Sequence, residues 1–89
     1  MNERYFDVLI DENNKYRLFA ADVDDGELVW HQDARDRVVW VLSGKGWQFQ
    51  FDNELPIQLE EGITIKIPNH IYHRVIKGTN DLIIKITEN

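Results

Sequence analysis

The sequence predicts an all-β fold, an antiparallel barrel or sandwich connected as a meander or a jelly roll. Short runs rich in β-branched and aromatic residues recur between turn-forming residues, and helical periodicity is hard to find. A chain of 89 residues has material for one hydrophobic core. We therefore expect residues 1–89 to form a single domain.

The first two predicted strands lie near the N-terminus. Residues 6–10 and 16–21 are rich in apolar and aromatic side chains, and the polar run 11–14 between them is typical of a turn. Residues 28–30 then lead into a segment that begins at His31.

The clearest predicted strand comprises residues 63–67. Three isoleucines alternate there with Thr64 and Lys66, so the apolar side chains share one face of a half-buried strand. Pro68 follows, where a missing amide donor costs little, and marks the strand end. By the same reasoning, turn residues delimit further strands at 38–42, 47–51, 57–59, 72–76 and 82–86.

The charge balance limits the partners that fit this chain. Its formal net charge is −6, whereas a nucleic-acid surface needs clustered Lys and Arg, so we expect no nucleic-acid partner. The acidic residues are dispersed and are expected to be solvated turn charges. They include Asp22, Asp24, Asp25, Glu27, Glu54, Glu60 and Glu61.

The chain contains no cysteine, which excludes disulfides, thiolate zinc sites and cysteine nucleophiles. Any metal must use histidine, carboxylate or water. Residues 1–10 carry Glu3, Arg4 and Asp7 without a continuous apolar stretch, so we expect no signal peptide, no membrane span and a cytoplasmic location. Small β-domains without disulfides often gain burial by oligomerising, and a homodimer is therefore the expected assembly.

Residues 31–44 resemble the first motif of the cupin family. That motif has a His, a second His two residues later, then a Glu, and finally an apolar strand that ends in Gly. His31, Asp33, Arg37 and Gly44 occupy those places here.

The second cupin motif runs from a Pro through a Gly to a His, and residues 68–73 are similar to it. Pro68 and His73 fit, whereas His70 replaces the Gly. The resemblance covers about residues 28–86. It implies a small, RmlC-like antiparallel jelly-roll β-barrel whose interior can hold one divalent metal, usually through three His and one Glu.

Strand geometry supports part of this site independently of the resemblance. Residues two apart on a strand project to the same face, so His31 and Asp33 can point together, and His73 could face them across a barrel. Two imidazoles and one carboxylate with open positions suit Fe, Mn, Ni or Zn. Arg37, at the place of the family's Glu, cannot ligate a metal and would repel a divalent cation. Asp36 could replace it only through a bulge or local turn.

Other interpretations of these residues stay open. Arg37 could bind an anionic small molecule such as a carboxylate or a phosphorylated sugar without metal, or it could pair with Asp33 or Asp36 at the barrel rim. His31 and His73 could be hydrogen-bonded packing residues. His70 is expected in a turn rather than as a ligand. Tyr72 is expected to face away from His73.

The strand at residues 47–51 has one aromatic face and one amide face. Gln48 and Gln50 alternate with Trp47, Phe49 and Phe51. If the aromatic face lines the core, as the hydrophobic effect favours, the glutamines lie on the surface. If the glutamines line the barrel, they contact a bound ligand and the aromatic stripe becomes a dimer surface.

Three functions follow from these expectations. The favoured one is a small-molecule-binding protein that holds its ligand, with or without a divalent metal, in the barrel. The second is a metal-dependent enzyme, an oxygenase or isomerase, that uses a two-His, one-carboxylate site. The third is a structural or regulatory oligomer with a vestigial pocket.

Overall fold

The computed structural model describes residues 5–22 and 28–89, and in them it contains eight β-strands and no helix. The predicted all-β fold is confirmed. The strands are β1 (Phe6–Leu9), β2 (Asn14–Phe19), β3 (Arg37–Ser43), β4 (Gln48–Phe51), β5 (Ile57–Gln58), β6 (Thr64–Ile67), β7 (His73–Ile76) and β8 (Leu82–Glu88). Each predicted strand is present with shifted ends. The predicted solvated charges Asp24, Asp25 and Glu27 lie outside the described residues, whereas Asp22, Glu54, Glu60 and Glu61 are exposed as expected.

The strands form two antiparallel sheets. The larger sheet has the order β1-β2-β8-β3-β6, and the smaller one has the order β5-β4-β7. The C-terminal strand β8 lies between β2 and β3, so most neighbours in the larger sheet are distant in sequence. The fold is jelly-roll-like, although the two sheets do not close into one continuous barrel.

The hydrophobic core lies between the two sheets. Alternate residues of β2, β3, β4, β6 and β8 point inward, and their side chains pack into one buried cluster with residues that flank the strands. It contains Phe19, Val39, Val41, Trp47, Phe49, Leu59, Ile65, Ile67, Leu82, Ile84 and Ile86. A cavity of about 320 Å³ remains inside, and this cavity is where the functional residues must be sought.

The turns follow the polar residues that predicted them. Asp11 accepts hydrogen bonds on Oδ1 from the backbone N–H groups of Asn13 and Asn14, at 2.8 and 2.9 Å, and so closes the turn between β1 and β2. His70, the residue in place of the family's glycine, has a φ of +60° in the turn before β7. The part of the chain that the structure describes has no helix that could span a bilayer.

Candidate metal centre

His31 and His73 are held side by side by their own backbones. The N–H of each residue donates to the carbonyl oxygen of the other, at 3.0 and 2.9 Å, in a short antiparallel bridge. Residues paired in this way carry their side chains on the same side of the two chains. The imidazole centroids consequently lie 4.3 Å apart in an edge-to-face arrangement.

The two imidazoles share one hydrogen-bonding pattern. Nδ1 of His31 lies 3.1 Å from the carbonyl oxygen of Val29, and Nδ1 of His73 lies 2.8 Å from that of Ile71. A carbonyl oxygen only accepts, so Nδ1 carries the proton in each ring and donates it. In the neutral rings Nε2 then presents a lone pair, the state that a metal requires.

Asp33 joins the histidines through a backbone contact to the turn before β7. Its carbonyl oxygen accepts a hydrogen bond of 2.7 Å from the N–H of His70. The carboxylate Oδ2 then lies 3.2 Å from Nε2 of His73. This Oδ2 is buried and has no hydrogen-bond donor among the residues that the structure describes.

Together the three side chains form a cluster that can hold a metal ion. One ligand atom from each of His31, Asp33 and His73 lies within 4.8 Å of the other two. Burial of the His73 imidazole lowers its pKa, and the neighbouring His31 and Arg37 lower it further, against the hydrogen bond to Ile71 and the charge of Asp33, which raise it. In the neutral ring Nε2 is an acceptor that faces the carboxylate oxygen of Asp33 at 3.2 Å, and a shared cation satisfies two acceptors at this distance.

Arg37 lies beside this cluster rather than in it. Its Nη1 is 3.3 Å from Oδ1 of Asp33, the predicted ion pair, and its Nε is 3.5 Å from Oε2 of Glu88. The guanidinium thus engages one oxygen of Asp33 and leaves the other oxygen toward His73. Because two carboxylates flank Arg37, its repulsion of a divalent cation is smaller than the sequence alone indicates.

Glu88 belongs to a chain of ion pairs that sequence reasoning missed. Beyond Glu88 the pairs continue to Lys15 at 3.3 Å, from Lys15 to Asp7 at 3.7 Å, and from Asp7 to Arg17 at 2.7 Å. Arg17 is almost fully buried, and its guanidinium lies 3.6 Å from the centroid of the Tyr5 ring. The sequence gives one indication that Arg17 is buried: it lies two residues from Phe19 and therefore on the same, inward face of β2.

Three other candidates of the sequence lie outside the cluster. Asp36 is exposed, and its Oδ1 accepts a hydrogen bond of 2.8 Å from the N–H of Asn69, so it stabilises the turn instead of replacing the missing glutamate. His70 is an exposed turn residue, as predicted. Tyr72 is exposed, in agreement with a side chain that faces away from His73.

The structure does not bring Gln48 and Gln50 to the cavity. Trp47 and Phe49 are buried in the core, and Phe49 lines the cavity, so the amides project from the opposite face of β4. Gln50 Oε1 accepts a hydrogen bond of 2.9 Å from Nε of Arg74. The alternative in which the glutamines line the barrel is therefore wrong for the described structure.

The cavity extends from the cluster into the core. His31, Asp33, His73, Arg37 and Arg17 line it on the polar side. The rest of its wall is mainly aliphatic and aromatic, with Val39, Phe49, Leu59, Ile65, Ile67, Val75, Leu82, Ile84 and Ile86 among its residues. The wall is thus mostly apolar, and its polar part comprises the cluster and the two arginines beside it.

Solved structures share this architecture. A cupin-2 domain containing protein from Shewanella frigidimarina superposes with a TM-score of 0.67 at 22% identity, over 100% of this chain and 85% of that protein. The chain has the cupin fold. No protein-family model matches the sequence, and no curated protein matches it.

Two larger proteins contain the same cupin fold. A structure of the DMSP lyases RdDddP and RnDddQII matches with a TM-score of 0.73 at 20% identity, over 85% of this chain. Fe(II) HppE matches with a TM-score of 0.66 at 17% identity, also over 85%. The present chain spans 37% and 41% of the lengths of those two proteins. At these identities the likeness concerns the fold alone.

Proposed function

We propose that this protein binds one divalent metal ion through His31, Asp33 and His73 and holds a small molecule in the adjoining cavity. The observation that carries the proposal is the convergence of three ligand atoms within 4.8 Å. Each imidazole is already oriented by a backbone carbonyl, as metal-ligating histidines usually are. The buried Oδ2 of Asp33 supplies the third ligand.

The donor set indicates which metals fit. Fe, Mn, Ni and Zn all accept imidazole and carboxylate ligands, and two histidines with one carboxylate and open positions are typical of non-haem Fe(II). We therefore place Fe(II) first and the other three metals next. When bound, such an ion would polarise an oxygen of the molecule beside it.

The cavity wall favours a ligand with an apolar body and one polar head. Hydroxyl groups buried against Val39, Phe49 and Ile65 would lose hydrogen bonds to water without replacement, which disfavours a phosphorylated sugar. Arg37 is already paired with Asp33 and Glu88. A carboxylate or other oxygen head is therefore better placed on the metal than on Arg37.

Metal analysis tests this proposal directly. We expect one metal ion per chain in protein purified without chelators, and also in apoprotein reconstituted anaerobically with Fe(II). His31→Ala and His73→Ala are each expected to abolish metal binding. His70→Asn is the matched control, because it removes an exposed histidine at a positive φ that Asn tolerates. Absence of metal in the reconstituted protein would contradict the proposal and leave the vestigial pocket as the better interpretation.

Metal-dependent catalysis is the second candidate function. The observation that favours it is the position of the cluster in the cavity wall, where a bound molecule would lie next to the metal. If the protein is an oxygenase or an isomerase, the metal-loaded protein converts its bound ligand into a product. A ligand that binds and is released unchanged supports a binding protein instead.

For either function we propose a cytoplasmic location for the protein.

A further inference from the structure

Arg17 places a charged side chain on the inner face of the five-stranded sheet, where apolar side chains are usual. Its register partner on β8 is the core residue Ile84, and both residues line the cavity. Arg17 is only 8% exposed. Removing a guanidinium from water costs free energy, and one ion pair seldom recovers that cost in full. The position of Arg17 therefore indicates a role in the cavity besides packing.

The guanidinium of Arg17 is held on one edge and one face. Nε donates to Oδ1 of Asp7 at 2.7 Å, and Nη2 donates to Oδ2 of Asp7 at 2.9 Å. The face of the group lies 3.6 Å from the centroid of the Tyr5 ring. A guanidinium has five N–H groups, and the pair with Asp7 uses two of them. Nη1 and the second N–H of Nη2 form another edge, which can take a further acceptor.

The other arginine of the cavity wall is flanked by more negative charge. Arg37 lies between Asp33 and Glu88, with 3.3 Å from Nη1 to the first carboxylate and 3.5 Å from Nε to the second. Arg17 has the carboxylate of Asp7 alone, and Asp7 shares its charge with Lys15 at 3.7 Å. An anion inside the cavity thus meets less opposing charge at Arg17 than at Arg37.

We propose that Arg17 binds a carboxylate of the ligand, and that the ligand is therefore an amphipathic acid with a hydrocarbon body. The inference rests on the proposed binding of a small molecule in the cavity and adds a second polar contact to it. A planar carboxylate fits two parallel N–H donors, as the pair with Asp7 already shows. A phosphate monoester carries nearly two charges, and one of them would stay unpaired against the apolar wall.

The strand registers separate Arg17 from the metal cluster along the sheet. On β8, Arg17 pairs with Ile84, whereas Arg37, which borders the cluster, pairs with Glu88. Four residues of a strand span about 13 Å. Ile86 lies between these two positions on the same face and lines the cavity. A ligand that reaches both places has its carboxylate at Arg17, its hydrocarbon body over Ile86 and an oxygen at the metal.

Calorimetric titration of the metal-free protein with octanoate and with octanol tests the proposal. The two probes share one hydrocarbon chain and differ in their head group. We expect octanoate to bind at least about tenfold more tightly than octanol, and Arg17→Met to remove this preference. Lys15→Met is the matched control, because it removes a cation from the same chain of ion pairs, whereas the cavity wall of the described structure does not include Lys15.

Asp7→Asn distinguishes ligand binding from a purely structural ion pair. If Arg17 only held Asp7, loss of either partner would change the affinity for octanoate to the same extent. As a carboxylate-binding residue, Arg17 should bind octanoate more tightly in Asp7→Asn, since the competing carboxylate is gone. If Arg17→Met does not fold, the double variant Asp7→Asn with Arg17→Met replaces it, because it leaves no unpaired carboxylate at position 7.

Two results would overturn the proposal. One is equal affinity of the unaltered protein for octanoate and octanol, including no binding of either. The other is an affinity for octanoate that falls as far in Asp7→Asn as in Arg17→Met. Because these titrations use metal-free protein, a failure of the proposed metal site would leave their outcome unchanged, and Arg17→Met is expected to bind metal as the unaltered protein does.

Discussion

His31 and His73 exchange both of their backbone hydrogen bonds, so one antiparallel contact determines the position of both imidazoles. The same contact joins the segment before β3 to the first residue of β7 and thus links the two sheets at the cavity. Asp33 is attached to the same place through the N–H of His70. The ligand cluster is therefore built on paired backbone and not on free loops, which limits the motion of its side chains.

The two histidines are expected to differ in their effect on stability. His73 is 3% exposed and stacks on Phe49, so His73→Ala leaves a void and should lower the free energy of unfolding by about 2–3 kcal/mol. His31 is only half-buried, and His31→Ala should cost less than about 1 kcal/mol. Urea unfolding of the metal-free proteins measures both values.

The same two variants are expected to agree in their response to metal. A ligand that binds the folded state alone raises Tm, so added Ni²⁺ or Mn²⁺ should raise Tm of the unaltered protein and of His70→Asn. The added metal should leave Tm of His31→Ala and His73→Ala unchanged. Retention of the metal-dependent rise in His31→Ala would show that the cluster is not the binding site.

Arg37→Met is expected to destabilise the fold by about 2 kcal/mol, because it leaves the partly buried carboxylate of Asp33 without its cation and leaves Glu88 with Lys15 alone. The value is smaller than for fully buried pairs, since these side chains retain some solvent contact. Combining Arg37→Met with Glu88→Gln should recover about half of the loss. Equilibrium urea unfolding checks these values, with Lys45→Met, at an exposed lysine in the turn before β4, as control. An Arg37→Met protein as stable as the original would contradict the ion-pair account.

Most of the fold follows from local sequence signals. The alternation of three isoleucines with Thr64 and Lys66 predicts β6, and glycine, asparagine and proline residues delimit the turns. The order of the strands in the sheet does not follow from local signals, because the insertion of β8 between β2 and β3 depends on contacts between residues that are distant in sequence. Periodicity within a strand carries no information about its neighbours.

The sequence also predicted part of the candidate site. The spacing of His31 and Asp33 and the proline before His73 were sufficient to bring these three together. Glu88 could not be found in the same way, since it reaches Arg37 only through the pairing of β8 with β3. The orientation of β4, which removes Gln48 and Gln50 from the cavity, likewise depends on packing.

Acid is expected to destabilise the protein through Asp7 and Glu88. Burial alone raises the pKa of each carboxyl group, but the hydrogen bond and charge of Arg17 hold the pKa of Asp7 below its ordinary 3.8, and Arg37 with Lys15 holds that of Glu88 below 4.5. At low pH the unfolded chain then binds protons that the folded protein does not. The ionised carboxyl groups of Asp7 and Glu88 therefore stabilise the folded protein above about pH 4.5, and this stabilisation is lost as the pH falls through their lowered pKa values.

Urea unfolding at a series of pH values measures this loss. Asp7→Asn should flatten the dependence of the unfolding free energy on pH below 4.5, whereas Asp52→Asn, in an exposed turn, serves as the control. An Asp7→Asn protein with the unaltered acid dependence would show that the pair with Arg17 contributes nothing to it.

Two glycines are expected to resist substitution for different physical reasons. A Cβ added at Gly78 would lie 2.5 Å from the backbone nitrogen of Trp47, and close to the carbonyl oxygen of Lys45, so backbone must shift in the core around a fully buried tryptophan. Gly62 has open space around it, but its φ of +88° costs an L-residue about 1 kcal/mol. Gly78→Ala should therefore lower the free energy of unfolding by at least about 3 kcal/mol, well beyond the loss in Gly62→Ala. Thermal and urea unfolding compare the two variants, and the intrinsic fluorescence of the folded proteins reports whether Trp47 moves. Equal losses in both variants would mean that the chain near Gly78 relaxes without disturbing the core.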